Sequence, residues 1–213
     1  MRILVVTAVP AERDAVTRAS GALSGAFDVI AGGVGPAASA AAAATALALG
    51  TYDLVVSAGI GGGFGVPLGS LVIADAIVAA DLGAETPDGF VPVTELGFGS
   101  VEHRPPSALV RRTAAACAAA TGTVLTVSTV TGTAERAAAL RLAHPGAVAE
   151  AMEGFGVAEA AHQHGVPALE VRAISNAVGP RDRDAWRIGD ALAALTEAFG
   201  KIPPVLESWN SHD

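Results

Sequence analysis

Residues 147–161 read A-V-A-E-A-M-E-G-F-G-V-A-E-A-A and place a carboxylate, Glu153, inside a run that otherwise reads as interior. Burying a carboxylate without a partner costs several kcal/mol. Glu153 therefore either meets a basic partner in the core or faces a cavity where a ligand supplies hydrogen-bond donors. In the second case its two oxygens suit two adjacent hydroxyls, as on a sugar cis-diol, and Met152 beside it offers a polarisable floor for a ring. A helix-start carboxylate on a domain surface is the plainer reading. The flanking segments have to decide.

They alternate between apolar runs and Ala-rich stretches. Residues 2–7 (R-I-L-V-V-T), 27–31, 53–58, 70–80, 123–128 and 167–174 read as strands, several of them apolar throughout, as expected of strands buried on both faces of a sheet. Residues 37–49, 107–120, 154–164 and 188–200 read as helices, with a further helix starting near Pro10 and another, carrying Glu135 and Arg136, capped by Thr133. This alternation predicts an α/β fold: a three-layer α/β/α sandwich around a mixed, mostly parallel central sheet. Residues 1–200 then form a single domain and 201–213 a C-terminal tail.

Composition narrows the function. The 213 residues are 51% hydrophobic and carry a net charge of -8, with a mean hydropathy of +0.48. No apolar run reaches an uninterrupted bilayer span, and residues 1–6 enter a strand without the longer apolar core of a signal peptide, so a soluble, cytoplasmic protein is expected. The acidic balance argues against nucleic acid or a membrane surface as partner and favours a small molecule. The single cysteine, Cys117, has no internal disulfide partner, and five scattered histidines give no metal-ligand spacing. No metal and no cofactor are expected.

In open α/β sheets ligands bind beyond the carboxyl ends of the strands. Glu12 sits just past the first strand, although a first-turn Glu complementing the helix dipole would look the same. Residues 59–65, G-I-G-G-G-F-G, read as a loop that lets backbone approach a sugar or base; they lack the Lys-Ser/Thr ending of a phosphate-binding loop and lead into another strand. Residues 81–107 are irregular, and a loop this long is usually functional or subunit-spanning. Residues 175–176 form a loop after the last strand. Arg181, Arg183 and Arg187 crowd around Trp186, either as a solvated, salt-bridged loop or as a pocket for an aryl carboxylate, since arginine forks match carboxylates and Trp stacks on rings.

Glu12, Ala58-Gly59-Ile60-Gly61-Gly62, Ala151-Met152-Glu153-Gly154 and Arg172-Ala173-Ile174-Ser175-Asn176 together resemble the purine nucleoside phosphorylase/nucleosidase superfamily, over about residues 1–200 and in the right order. Within it the chain is most similar to the nucleosidases, and most narrowly to the futalosine hydrolases of menaquinone synthesis. The resemblance implies a hydrolase that cleaves the N-glycosidic bond of futalosine and releases hypoxanthine. By position it makes Glu12 the residue that orients and deprotonates water, with Arg172 near that water. Met152 and Glu153 hold the ribose, Asn176 faces N7 and the 6-substituent of the purine, and Val130 and Thr131 lie at the base. Ile60 and Gly61 line the sugar side. Arg181, Arg183 and Trp186 are candidates for the benzoate at the 5′ position, with the 5′ group directed toward residues 81–107. The partner is thus a nucleoside, and a homo-oligomer, dimer or higher, is implied.

Two positions depart from the methylthioadenosine nucleosidase pattern, which has Ser in place of Ile60 and Asp in place of Asn176. An Asp suits a 6-aminopurine, whereas Asn176 can donate its amide to O6 and offer its carbonyl to a protonated N7. The open alternatives are a methylthioadenosine/adenosylhomocysteine nucleosidase, a purine nucleoside phosphorylase and a non-catalytic nucleoside-binding protein.

Overall fold

The computed structural model describes residues 1–19 and 26–209. The apolar run at the amino end forms strand β1 (Ile3–Thr7), buried along its whole length because strands pair with it on both edges and helices cover both faces. Helix α1 (Pro10–Arg18) follows, with Pro10 in its first turn, where a missing N–H costs nothing. Strand β2 (Phe27–Ala31) pairs parallel with β1, and Gly35-Pro36 turns into helix α2 (Pro36–Leu49).

Strand β3 (Leu54–Gly63) is longer than the sequence reading predicts. Residues 59–63, expected as a loop, continue as strand, because Gly59 to Gly63 pair with β10 (Ala168–Ala177) on one side and Gly62 and Gly63 with β9 (Ala147–Ala151) on the other. Ser175 and Asn176, also expected in a loop, lie near the end of strand β10 instead. Strands β4 (Leu71–Ala79) and β8 (Ala120–Thr126) complete the central part. Residues 81–107 are more ordered than expected: they hold the hairpin of β5 (Gly83–Thr86) and β6 (Gly89–Pro92), a separate two-stranded sheet, and the short β7 (Glu102–His103), which pairs with β4.

The main sheet runs β10-β4-β8-β9-β3-β1-β2, and β10 also pairs with β3. Five strands therefore close on themselves and β1 and β2 extend from the ring. Most pairings are parallel; β10 with β4, β3 with β9 and β4 with β7 are antiparallel. On one side α1, α3 (Ser107–Cys117) and α6 (Ile188–Glu207) pack through Ala15, Val16, Leu109, Leu195 and Phe199. On the other, α2 and α5 (Gly154–Gln163) pack through Ala43, Leu47, Val157 and Ala161. Helix α4 (Ala134–Ala143) is capped by Thr133, whose hydroxyl accepts from the Arg136 amide, as its sequence predicts.

Gly156 brings α5 close to α2: a Cβ there would collide with the Pro36 carbonyl, so the first turns of the two helices touch backbone to backbone. This contact carries the Gly35-Pro36 turn up to Glu153.

Helix α6 continues through Pro203 and Pro204 to Glu207, and Ile202, Leu206 and Trp209 are buried against the α1/α3 side. The predicted tail is thus docked structure as far as Trp209; its last four residues, 210–213, lie outside the described residues. Among the described residues no helix is long and apolar enough to cross a membrane.

Candidate active site

A cleft of about 220 Å³ opens where β3, β9 and β10 end and α1 and α5 begin. Its lining includes Ala8, Val9, Glu12, Val34, Ile60, Gly61, Val130, Glu150, Met152, Glu153, Ser175, Asn176 and Trp186. Glu153 and Asn176 therefore face the same space.

Glu12 is fixed entirely by main chain. Its Oε2 accepts from the amides of Ala8 and Val9, at 2.9 and 3.2 Å, and its Oε1 from the amide of Ile60 at 2.9 Å. The strand glycines make this possible: a Cβ on Gly59 would stand 2.7 Å from Glu12 Oε1 and 2.8 Å from Arg172 Nη1. Side-chain-free strand, not loop flexibility, brings these charges together.

Glu153 stands at the turn between β9 and α5. Its Oε1 accepts from the Gly35 amide at 3.2 Å and its Oε2 from Arg172 Nη1 at 3.2 Å. Both readings of this carboxylate hold at once, since it has a buried basic partner and also faces a cavity. Arg172, 1% exposed, lies behind the cleft and not in its lining. It is fully engaged: Nε donates to Glu170 Oε1 at 2.8 Å and Nη2 to Ser57 Oγ at 2.9 Å. Burial works against the Arg172 cation, but the carboxylates of Glu170, Glu153 and Glu12 outweigh it and push its pKa up. Burial pushes the Glu170 carboxyl up as well, and its Oε2 has no hydrogen-bond partner.

Asn176 lies at the other end. Its Oδ1 accepts from Ser175 Oγ at 2.8 Å and its Nδ2 donates to the Ala177 carbonyl at 3.0 Å, leaving one amide hydrogen and one lone pair for a ligand. Thr131 does not line the cleft; it stands behind Glu150, donating its amide to Oε1 at 2.9 Å and its hydroxyl to Oε2. Burial pushes the Glu150 carboxyl up, against the pull of these two bonds. Arg181 and Arg183 also lie off the cleft, with guanidinium carbons 5.8 and 5.9 Å from the centre of the Trp186 ring, and only the Trp reaches the lining. No residue from 81–107 lines the cleft.

Sequence reasoning missed Glu150, Glu170, Ser57 and Gly35. Glu150 carried the same signal as Glu153, a carboxylate in an apolar run, and Glu170 stands two residues before Arg172 on the same strand face; Ser57 and Gly35 are joined to the site only by the fold. Among the described residues no group of three or more His, Cys, Asp or Glu is arranged to hold a metal.

The family model described as the phosphorylase superfamily matches residues 10–206. The chain belongs to the phosphorylase superfamily. Among curated relatives of this superfamily, a protein of Streptomyces coelicolor named futalosine hydrolase is 65% identical, with each chain covered over its full length. Solved structures similar in fold include one named as a nucleosidase and one named as a hydrolase. A 5′-methylthioadenosine/S-adenosylhomocysteine nucleosidase from Neisseria meningitidis, bound to methylthio-immucillin-A, superposes with a TM-score of 0.81 at 20% identity, over 94% of this chain and 97% of that one. Futalosine hydrolase of Helicobacter pylori does so with a TM-score of 0.80 at 16% identity, over 95% and 97%.

Proposed function

We propose that this chain is a nucleosidase that hydrolyses the N-glycosidic bond of futalosine, releasing hypoxanthine and dehypoxanthine futalosine for menaquinone synthesis. The observation that carries hydrolysis over phosphorolysis is the charge of the cleft. Among the described residues three carboxylates line it, and no Lys, Arg or His does. A phosphorylase needs cations around its phosphate; here Arg172, buried near the floor, is already bonded to two carboxylates. The full-length relative named futalosine hydrolase supports the choice of substrate.

The mechanism follows from the bond to be broken. Cleavage develops positive charge on the ribose, as in other glycoside hydrolyses, and negative charge on the departing purine. Glu153 accepts the 2′ and 3′ hydroxyls, held in place by the Gly35 amide and Arg172. Its charge and that of Glu12 favour the cationic sugar. Met152 floors the ribose. Glu12, immobilised by three amides, retains lone pairs with which to orient a water and take its proton. Asn176 donates to O6 and offers its carbonyl to protonated N7.

The test is incubation with futalosine, inosine and methylthioadenosine in phosphate-free buffer, with the free base identified each time. Hypoxanthine from futalosine is expected. Turnover that requires phosphate, or adenine released from methylthioadenosine at a comparable rate, would overturn the proposal.

The benzoate end needs more than this chain. Leu82, Phe90, Leu96 and Phe98, all in the segment that fails to reach its own cleft, are exposed. We assign them to contact with a second copy in a homo-oligomer.

A further inference from the structure

Asn176 reads only one edge of a 6-oxopurine. The neighbouring N1–H is a donor that distinguishes hypoxanthine from adenine, whose N1 is an acceptor, and an unmatched N1–H in a closed site would be left unpaired. An acceptor in the cleft facing N1 would therefore favour hypoxanthine over adenine.

The sheet register supplies one. Glu150 on β9 pairs with Gly62 on β3, and Gly62 pairs with Asn176 on β10. The three residues form one row across adjacent strands, and paired residues present their side chains to the same face. With strands about 4.8 Å apart, Glu150 and Asn176 stand roughly 10 Å from each other with a glycine between them. The row is a slot with a polar side chain at each end and none in the middle.

The other polar side chains of the lining serve other groups: Glu12 the water and Glu153 the ribose hydroxyls in the proposed mechanism, while Ser175 bonds the Gly61 carbonyl and Asn176. Glu150 is the carboxylate left at the base end, and it is aimed: both oxygens accept from Thr131, each keeping a further lone pair.

We propose that Glu150 is a specificity-determining residue whose carboxylate accepts the N1–H of the 6-oxopurine while Asn176 meets its N7 and O6 edge. An adenine would set its N1 lone pair against the same carboxylate. The two ends of the slot then select the 6-oxo base independently, and the discrimination does not rest on Asn176 alone. This inference rests on the proposed release of hypoxanthine.

The experiment measures inhibition of futalosine hydrolysis by hypoxanthine, 1-methylhypoxanthine and adenine, for the wild type, Glu150→Ala and Thr131→Val. The methyl group replaces the N1 hydrogen and leaves O6 and N7 intact. The wild type is expected to bind hypoxanthine about 100-fold or more tightly than the 1-methyl analogue, within the range by which sites reject ligands lacking a matched polar group. In Glu150→Ala that ratio collapses to within a few-fold, and kcat/KM for futalosine drops by about 10- to 100-fold. Thr131→Val keeps the backbone bond but frees one oxygen, and the ratio falls by roughly tenfold; should Glu150→Ala not fold, this variant decides. An unchanged ratio in the folded variants overturns the role of Glu150 while hypoxanthine release by the wild type leaves the main reading intact. If the wild type releases no hypoxanthine from futalosine, both are lost.

Discussion

Glu12 and Glu153 are chemically identical side chains given different work by what surrounds them. Glu12 touches only amides, so its free lone pairs can serve a water; Glu153 shares a guanidinium and turns its remaining capacity to hydroxyls. Replacing Glu12 by Gln should leave hypoxanthine binding near the wild-type value and cut kcat by about 10² to 10⁴, the range for a positioned base. Steady-state kinetics together with product inhibition would separate the two effects, and a variant that loses binding in step with turnover would contradict this assignment. Both carboxylates were legible from the sequence: Glu153 as an acid in an apolar run, Glu12 from its place past a strand end. Arg172 was legible as a member of the site but not as a buried tether, because its partners Ser57, Glu153 and Glu170 come from three separate strands and their junctions.

At the level of elements, the tether joins β3, β10 and the β9–α5 turn. Removing one member of a buried charge cluster strands the others, typically at a cost of about 3–5 kcal/mol. Arg172→Met, which leaves Glu153 and Glu170 without their cation, is therefore expected to lose stability of that order in urea denaturation. Glu170 adds a pH dependence. Its folded-state pKa is raised by burial, so the native protein holds this proton more tightly than the unfolded chain does. The associated stability is present below the ordinary carboxylate value near 4.5 and is lost as pH rises through the raised value. Glu170→Gln should flatten the decline of stability between the ordinary value and the raised one; an unchanged slope across a pH series would show that the proton resides elsewhere. The glycine-rich end of β3 was misread because glycine weakens strands in isolation. What overrides the propensity is pairing on both edges and the need for space beside Glu12 and Arg172.

For the molecule as a whole, the α/β architecture was readable because buried strands leave continuous apolar runs and Ala-rich helices separate them. The closure of the sheet through β10 and β3 was not, since register between strands more than a hundred residues apart leaves no local trace. The docking of α6 beyond residue 200 was hidden by Pro203 and Pro204, which argue for a helix end yet sit inside one here. The hairpin segment sets the assembly prediction. If a second copy covers Leu82, Phe90, Leu96 and Phe98, the protein should sediment as a dimer or larger, and Phe98→Glu should shift it toward the monomer with weaker binding of futalosine but little change for hypoxanthine. A wild type that sediments as a monomer would remove this account.

The anchoring of Glu12 and Glu153 by peptide N–H groups has a practical corollary for anyone surveying this enzyme by substitution. Alanine at Val9 or Ile60 would leave both donors in place, a scan makes no change at Ala8, and at Gly35, with its φ of +91°, the added Cβ would strain the backbone and mask the effect, so a conventional scan would overlook these amides. Amide-to-ester replacement at the same residues, which deletes the hydrogen while sparing the side chain, is the perturbation that would make their contribution visible.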